Sequence, residues 1–253
     1  MKPWQLYDDL IDAVPADVRV RDAQISRFAQ VTNDAGGCGL ALADRGGSRE
    51  PRGPELVVDR SLRDVAALAK SWDFQLAGLG VAALNSWFNT AERVVAAGAQ
   101  SEDRDCFEMR ADRVGGKRVG VIGHFAGLDR LWAASELVVL EREPRAGDLP
   151  DPACEYELPS CDEVYITGTT LANKTLPRLL ELSRDAHTVL VGPSVTFAPE
   201  VYGDLVEEIA GSWVAQPAEA TQLVRLGGSM RSVKRVFTRF NWIGARSDDS
   251  GNQ

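Results

Sequence analysis

The sequence predicts an α/β protein in two parts, a small α+β domain followed by a doubly wound, mostly parallel sheet. In the first part, a helix and short extended runs precede further helices, which is the order of an α+β domain. In the second part, short continuous apolar runs alternate with helical stretches, as in a sheet covered on both faces. A chain of 253 residues, 44% of them hydrophobic, is long enough and apolar enough for a packed core.

The elements of the first part follow from the spacing of apolar residues and from turn signals. Apolar residues on one face predict a helix over residues 4–14, which Pro15 ends. Asn, Asp and two glycines at residues 33–37 predict the turn of a hairpin. Extended runs predict strands at residues 18–20, 25–32 and 38–43. A polar, turn-rich surface loop and two further helices are expected at residues 44–55, 61–72 and 75–87.

The change of character along the chain places the domain boundary. We assign residues 1–97 to the first domain and the charged, glycine-bounded stretch 98–116 to a linker. Residues 117–246 form the second domain, and the polar tail 247–253 is expected to be disordered. Apolar runs predict its strands at residues 119–122, 137–140, 164–167, 188–191 and 213–215. Helical spacing predicts helices at residues 128–134, from 176 onwards, and around Val233, Val236, Phe237 and Phe240.

Composition narrows the class of protein. The net charge of −9 argues against a nucleic-acid partner, and we interpret the basic stretch 225–246 as the solvated side of a docking helix. The chain has no run of about 20 apolar residues, so no membrane partner is expected. Four cysteines without a CxxC pair predict free thiols in a cytoplasmic protein, and two histidines argue against a histidine-rich metal cage.

The strongest signal for a binding site is a glycine-rich turn between a predicted strand and a predicted helix. Glycines at 120, 123 and 127 give the spacing GxxGxxxG rather than the dinucleotide pattern GxGxxG. This favours a nucleoside or adenosyl group over a pyrophosphate, and it disfavours a nicotinamide-dependent oxidoreductase. Glu141 ends the next strand, where an acidic side chain commonly accepts hydrogen bonds from ribose hydroxyls. The alternative interpretation is a tight turn followed by a solvated carboxylate.

Polar loops follow two further predicted strands, at residues 167–175 and 192–194. Because the carboxyl ends of parallel strands meet at one edge of a sheet, we expect both loops to face Gly123 and Glu141. Thr175 has an alternative explanation as the N-cap of the next helix. His124 is the one histidine in a motif, and it would act as a general acid or base, bind a metal, or simply pack.

These segments resemble the family described as "putative heavy-metal chelation", whose members join an enolase-N-terminal-like domain to a Rossmann-like domain. TGTT at 167–170, with Asn173 and Thr175, and GPS at 192–194 are its most specific motifs. Supporting stretches are WQLYDDLIDAVP (4–15), GCGLALAD (37–44), LAGLGVAALNSW (76–87), VGVIGHF (119–125) and LVVLEREPRAGDLP (137–150). The similarity runs from Trp4 to about Gly244. Lys174 departs from the small residue expected there, and we interpret it as extending into solvent.

The resemblance implies a ligand crevice between the two domains of the chain. It also implies a homodimer, and it specifies no reaction. In the second domain it marks Gly123, His124, Phe125, Glu141, Thr167, Gly168, Thr169, Thr170, Asn173, Gly192, Pro193 and Ser194. In the first domain it marks Gly37, Gly39 and Asn85. Two functions stay open at this point. One is an enzyme that uses an S-adenosylmethionine- or nucleoside-like ligand on a metal chelator, with His124 as the catalytic candidate. The other is a non-catalytic binding protein for a divalent metal, a metal chelate or a metabolite.

Overall fold

The computed structural model describes residues 2, 4–44, 46–48, 57–133 and 136–244. Its first part contains a three-stranded antiparallel sheet made of β1 (Val20–Ile25), β2 (Phe28–Asn33) and β3 (Cys38–Leu42). The predicted hairpin joins β2 to β3, and Val31 pairs with Gly39 in its register. Strand β1 begins at Val20, the last residue of the strand predicted at residues 18–20. A turn at residues 26–27 separates β1 from β2. Most of the predicted loop 44–55 lies outside the described residues.

Four helices accompany this sheet: α1 (Gln5–Asp12), α2 (Leu62–Ala66), α3 (Phe74–Phe88) and α4 (Ala91–Ala96). Helix α3 is buried on nearly every side because the small sheet covers one face and the second part of the chain covers another. The Asp73 carboxylate caps it by accepting the N–H of Gln75 at 2.9 Å. A Cβ atom on Gly39 would lie 2.2 Å from the Ala82 carbonyl oxygen, so the close approach of β3 to α3 requires glycine.

The second part is built on an eight-stranded sheet in the order β4-β11-β10-β9-β8-β5-β6-β7. Strands β5 to β10 are parallel to one another, and β11 runs antiparallel to both β10 and β4. This confirms the predicted α/β class with a mostly parallel, doubly wound sheet. The strands are β4 (Gln100–Ser101), β5 (Arg118–Ile122), β6 (Glu136–Glu141), β7 (Leu149–Pro150), β8 (Glu163–Thr167), β9 (His187–Val191), β10 (Glu208–Val214) and β11 (Phe237–Ile243).

Short helices connect these strands, and two of the described elements fall where we expected a linker. Residues 98–116 supply both β4 and helix α5 (Cys106–Arg110). The remaining helices are α6 (Asp129–Trp132), α7 (Cys154–Glu157), α8 (Thr169–Ala172), α9 (Leu176–Leu182), α10 (Pro199–Tyr202), α11 (Pro217–Arg225) and α12 (Met230–Val233). The tail 247–253 lies outside the described residues. Within the described part of the chain, no helix has the length and apolar character that a bilayer crossing needs.

The predicted C-terminal docking helix is wrong beyond Val233. Helix α12 ends there, a 3-10 turn covers Lys234–Val236, and Phe237 and Phe240 belong to strand β11. Phe240 is buried between two aromatic neighbours, with ring centroids 5.0 Å from Phe197 and 6.0 Å from Trp213. The free edge of β10 gives this segment a hydrogen-bonding partner along its whole length, and tertiary pairing overrides the helical spacing.

The connectivity places a topological switch point between β5 and β8. From β5 the chain proceeds outward to β6 and β7, whereas from β8 it proceeds in the opposite direction to β9 and β10. The loops after β5 and β8 therefore diverge and leave a crevice at the carboxyl edge of the sheet, which is where open α/β sheets bind ligands.

Buried hydrogen bonds hold the two parts together beside this crevice. The Asn85 Oδ1 atom accepts the Thr196 hydroxyl at 2.7 Å, and the Asn89 Nδ2 group donates to Val195 O at 2.8 Å. On the opposite side, the Tyr7 hydroxyl donates to Leu171 O at 2.8 Å. Because these groups are buried, breaking them without replacement would be costly, and the crevice has fixed walls.

The amino edge of the large sheet contains a buried charge network. Arg110 Nε donates to Glu163 Oε1 at 3.0 Å, and its Nη1 lies 3.1 Å from Glu208 Oε2. The two carboxylates are 0% and 1% exposed, so they depend on this guanidinium. The His187 Nε2 atom lies 3.6 Å from Glu208 Oε2 at the start of β9. Burial alone would raise the pKa of Glu208, but His187 and Arg110 lower it below its ordinary value.

Candidate functional site

A cleft of about 1020 Å³ runs along the carboxyl edge of the large sheet, at the switch point. The first part closes it from above with Leu42, Asp44 and Phe74. The structure brings most of the sequence-predicted site residues into its lining. These are Gly123, His124, Phe125, Glu141, Thr167, Thr169, Thr170, Asn173, Gly192, Pro193 and Ser194.

Four sequence-predicted residues do not line the cleft, and each has a packing role. Gly37 and Gly39 let the small sheet approach helix α3. Asn85 bridges the two parts through Leu40 O, at 2.9 Å, and the Thr196 hydroxyl. A Cβ atom on Gly168 would lie 2.3 Å from Val195 N, so glycine is required where the loops after β8 and β9 touch. These four positions have packing roles, and their role in binding a ligand stays a prediction.

His124 is paired with a carboxylate that the sequence did not single out. Its Nδ1 atom lies 3.0 Å from Asp148 Oδ2 and 3.2 Å from Oδ1. The Asp148 side chain is 4% exposed and also accepts the N–H of Arg145 at 2.9 Å. A carboxylate is an acceptor, so it favours the tautomer with the proton on Nδ1. The lone pair on Nε2 of this half-buried ring is then available to act as a base or to bind a metal.

Glu141 holds the backbone of the loop that carries His124. Its Oε2 atom accepts the N–H of His124 at 2.8 Å, and its Oε1 atom accepts the N–H of Arg142 at 2.7 Å. Gly123 turns the chain with a φ of 102°, a conformation that favours glycine. The carboxylate therefore positions the imidazole through the main chain. Each oxygen retains acceptor capacity, and the ribose-binding role expected from the sequence stays a prediction.

The loop after β8 is more internally bonded than the sequence suggested. The Asn173 Oδ1 atom accepts both the N–H and the hydroxyl of Thr175, at 3.1 Å and 2.7 Å. Thr175 precedes α9, but its side chain makes no capping bond to the helix, so the alternative explanation of this residue as a side-chain N-cap is wrong. The buried Thr170 hydroxyl donates to Thr167 O at 2.6 Å. Thr169 and the amide nitrogen of Asn173 are the polar groups that this loop offers to a ligand.

We expected Lys174 to extend into solvent, but its side chain folds back against the protein. Its half-buried ammonium donates to Ala172 O at 2.6 Å and lies 5.3 Å from the centre of the Phe74 ring and 5.9 Å from that of Trp72. Burial lowers the pKa of this amine to about 8. Its backbone is left-handed, with a φ of 70°, which explains why a small residue is expected here.

The four cysteine thiols are poorly suited to bind a metal ion in this fold. All four cysteines are free and buried, as the sequence predicted for reduced thiols. Cys106 and Cys154 reach the cleft, but burial raises the pKa of both, to about 12 for Cys154. Among the residues that the structure describes, no three His, Cys, Asp or Glu side chains are grouped to hold a metal ion.

Sequence reasoning missed Arg142 in the cleft lining and Asp148 beside His124, besides the buried charge network. Asp148 pairs with His124 from a turn 24 residues further along the chain, beyond the reach of local spacing. Arg142 follows Glu141 directly, bonds to Asp151 at 3.0 Å and lies 5.8 Å from the centre of the Phe74 ring. The acidic and basic residues between β6 and β7 were a signal for both, but they did not indicate which side chain turns inward.

The fold is a two-part α/β architecture in which a small antiparallel sheet precedes a mostly parallel, doubly wound sheet with a cleft at its switch point. Two family models match the chain, over residues 7–88 and 105–242, and both are described as "putative heavy-metal chelation". The chain belongs to this family.

Solved structures and a curated relative agree with this membership. A DUF364-family protein of unknown function from Desulfitobacterium hafniense has a TM-score of 0.86 and 32% identity, over 95% of this chain and 98% of that one. Another from Pyrococcus horikoshii, at 20% identity, shares the fold with a TM-score of 0.77, over 96% of this chain and 100% of that one. An uncharacterised protein of Methanocaldococcus jannaschii is 29% identical over 199 residues, which are 74% of this chain and 73% of that protein.

Proposed function

We propose that the protein binds a divalent metal ion as its complex with a small organic chelator, and that His124 supplies an imidazole ligand from the cleft wall. The observation that carries this proposal is the His124–Asp148 pair. A carboxylate on Nδ1 fixes the orientation and the tautomer of the ring, as it does for histidines that bind metals. One imidazole fills one coordination position, so the chelator would occupy the others. This arrangement also agrees with the family's description.

The walls of the cleft suit the organic part of such a complex. Thr169 and the amide nitrogen of Asn173 offer hydrogen bonds on one side, and Arg142 offers a cation on another. A chelator carries carboxylates or similar oxygen donors, and the atoms that do not face the metal need partners of this kind. The cleft volume of about 1020 Å³ is sufficient for a small organic molecule together with its metal ion.

The test uses untagged protein and the copper(II) complex of iminodiacetate, a tridentate chelator that leaves a coordination position for imidazole. Because the chain has two histidines, electron paramagnetic resonance can assign any new nitrogen ligand. We expect the wild type and His187→Gln to bind the complex through one imidazole, and His124→Gln to lose that signal. Complex at 100 times its dissociation constant should add about 2.7 kcal/mol to the free energy of unfolding. An unchanged copper spectrum in His124→Gln would contradict the proposal.

A second candidate is an enzyme that binds an adenosyl-type ligand, such as S-adenosylmethionine, with His124 as a general base. The observation in its favour is Gly123 at the switch point with Glu141 at the end of the adjacent strand β6. In this case S-adenosylmethionine alone should raise the melting temperature, and Glu141→Gln should weaken its binding about tenfold. Mass spectrometry of the molecule that co-purifies with the protein distinguishes an adenosyl compound from a metal chelate.

A further inference from the structure

The side chain of Phe125 covers the switch point itself. A Cβ atom built on Gly123, at the end of β5, would lie 3.3 Å from the Cε2 atom of Phe125. A Cβ atom built on Gly192, at the end of β9, would lie 3.7 Å from the Cε1 atom of the same ring. The far end of the ring therefore extends across the end of β8, between two glycines whose φ angles, 102° and 109°, favour glycine. The ring thus lies at the position where ligands bind in open sheets of this class.

The ring is supported from behind, and part of it remains open to the cleft. Phe107, in helix α5, contacts it with ring centroids 5.3 Å apart and in turn contacts the buried Tyr165 at 5.3 Å. Helix α5 is held in place because Arg110 at its end is bonded to two buried carboxylates. Phe125 itself is half-buried and lines the cleft beside His124. A well-supported aromatic ring with an open flank is suited to stacking against another flat ring.

We infer that the chelator in this cleft is a planar aromatic compound with ring-nitrogen and carboxylate donors, which stacks on Phe125 while its metal ion binds His124. This inference rests on the proposed function and adds the chemical class of the chelator. Adjacent residues supply the two contacts, so a flat chelate that lies on the ring would bring its metal close to the imidazole. Stacking on an aromatic side chain tolerates different rings, and it is lost when the ligand is aliphatic.

Two matched copper(II) complexes test the inference. Dipicolinate and iminodiacetate are both dianionic tridentate chelators with one nitrogen between two carboxylates, and the first is a flat aromatic ring whereas the second is aliphatic. We expect the wild type to bind the dipicolinate complex about tenfold more tightly than the iminodiacetate complex in calorimetric titrations. Phe125→Leu should remove this preference and leave the affinity for the iminodiacetate complex within about twofold. Phe125→Tyr keeps an aromatic ring and should retain the preference.

Phe237→Leu is the control, because Phe237 lies on β11, which β10, β9 and β8 separate from β5, and its loss should leave the tenfold ratio unchanged. Equal wild-type affinities for the two complexes would overturn the inference, whatever the folding of the variants. The same ratio in Phe125→Leu as in the wild type would also overturn it. In both cases the proposed function stands if His124→Gln still loses the copper signal. If the wild type binds neither complex, the result contradicts both the proposed function and this inference.

Discussion

The two edges of the large sheet each contain one of the chain's two histidines beside a carboxylate, and they use this pair in different ways. At the amino edge, His187 approaches Glu208 inside a buried network centred on Arg110. At the carboxyl edge, the Nδ1 side of the His124 ring is bonded to Asp148. The two histidine side chains are similarly exposed, at 21% for His187 and 28% for His124, but His124 lines a cleft of about 1020 Å³.

The difference shows that the surroundings of such a pair, a buried guanidinium at one edge and a cleft at the other, distinguish a structural ion pair from a candidate binding group. The Glu208 side chain is 1% exposed, so the nearby cations serve to balance its charge. The His124 side chain is 28% exposed, and the buried Asp148 orients it instead of enclosing it. Perturbing the amino edge should therefore change stability, and perturbing the carboxyl edge should change binding.

The largest effect is expected from Arg110→Met at the amino edge. This change leaves Glu163 and Glu208 buried without their guanidinium, and breaking a buried ion pair costs about 3–5 kcal/mol. Urea denaturation measures the loss of unfolding free energy. The matched control is Arg130→Met, because the ion pairs of Arg130 are exposed and should contribute little to stability. Similar losses in both variants would contradict the distinction between the two edges.

The next effect is a loss of binding from Asp148→Asn at the carboxyl edge. The asparagine amide carries no negative charge, and it places an NH2 group where Oδ1 lies beside the Nδ1 atom of His124, so the imidazole is held less firmly. Removing such a supporting carboxylate typically costs 10–100-fold in metal affinity. Calorimetry with copper–iminodiacetate measures this loss, and the exposed Asp129→Asn serves as the control. Full binding by Asp148→Asn would show that the pair does not position the ring.

A smaller effect should separate capping from ligand binding within the loop after β8. Asn173→Leu removes the acceptor of the Thr175 N–H as well as the amide nitrogen that faces the ligand, so it should cost about 1 kcal/mol of stability, or a few degrees in melting temperature, and also weaken chelate binding. Thr169→Val removes a hydroxyl that lines the cleft, and we expect weaker chelate binding with little change in melting temperature. Thermal denaturation and calorimetry on the same two variants measure both quantities. The opposite pattern would exchange the roles of the two residues.

The smallest and most specific effect is a dependence of stability on pH from the amino edge. The pKa of Glu208 is lowered in the folded protein from its ordinary value of 4.5. Its contribution to stability is therefore present above pH 4.5 and is lost as the pH falls through the lower pKa of the folded state. Urea denaturation between pH 7 and pH 3 should show a flatter acid limb in Glu208→Gln than in the wild type. Parallel curves would show that this carboxylate does not drive the acid response.

The sequence by itself predicted the elements whose signals are local. Asn, Asp and two glycines at residues 33–37 defined the hairpin, and continuous apolar runs defined the central parallel strands. The glycine-rich turn at Gly123 located the switch point, because a strand that ends in such a turn before a helix marks the carboxyl edge of a parallel sheet. The resemblance then correctly identified the family.

Only the tertiary structure decided which side chains meet. Asp148 pairs with His124 through a turn that periodicity does not describe, and Phe240 lies in a strand because the edge of β10 was free to pair. Gly37 and Gly39 proved to be contact points for helix α3 because backbone approach depends on how two elements dock. Arg110, Glu163 and Glu208 are distant in the chain, and their charges become structural only when folding removes water from all three.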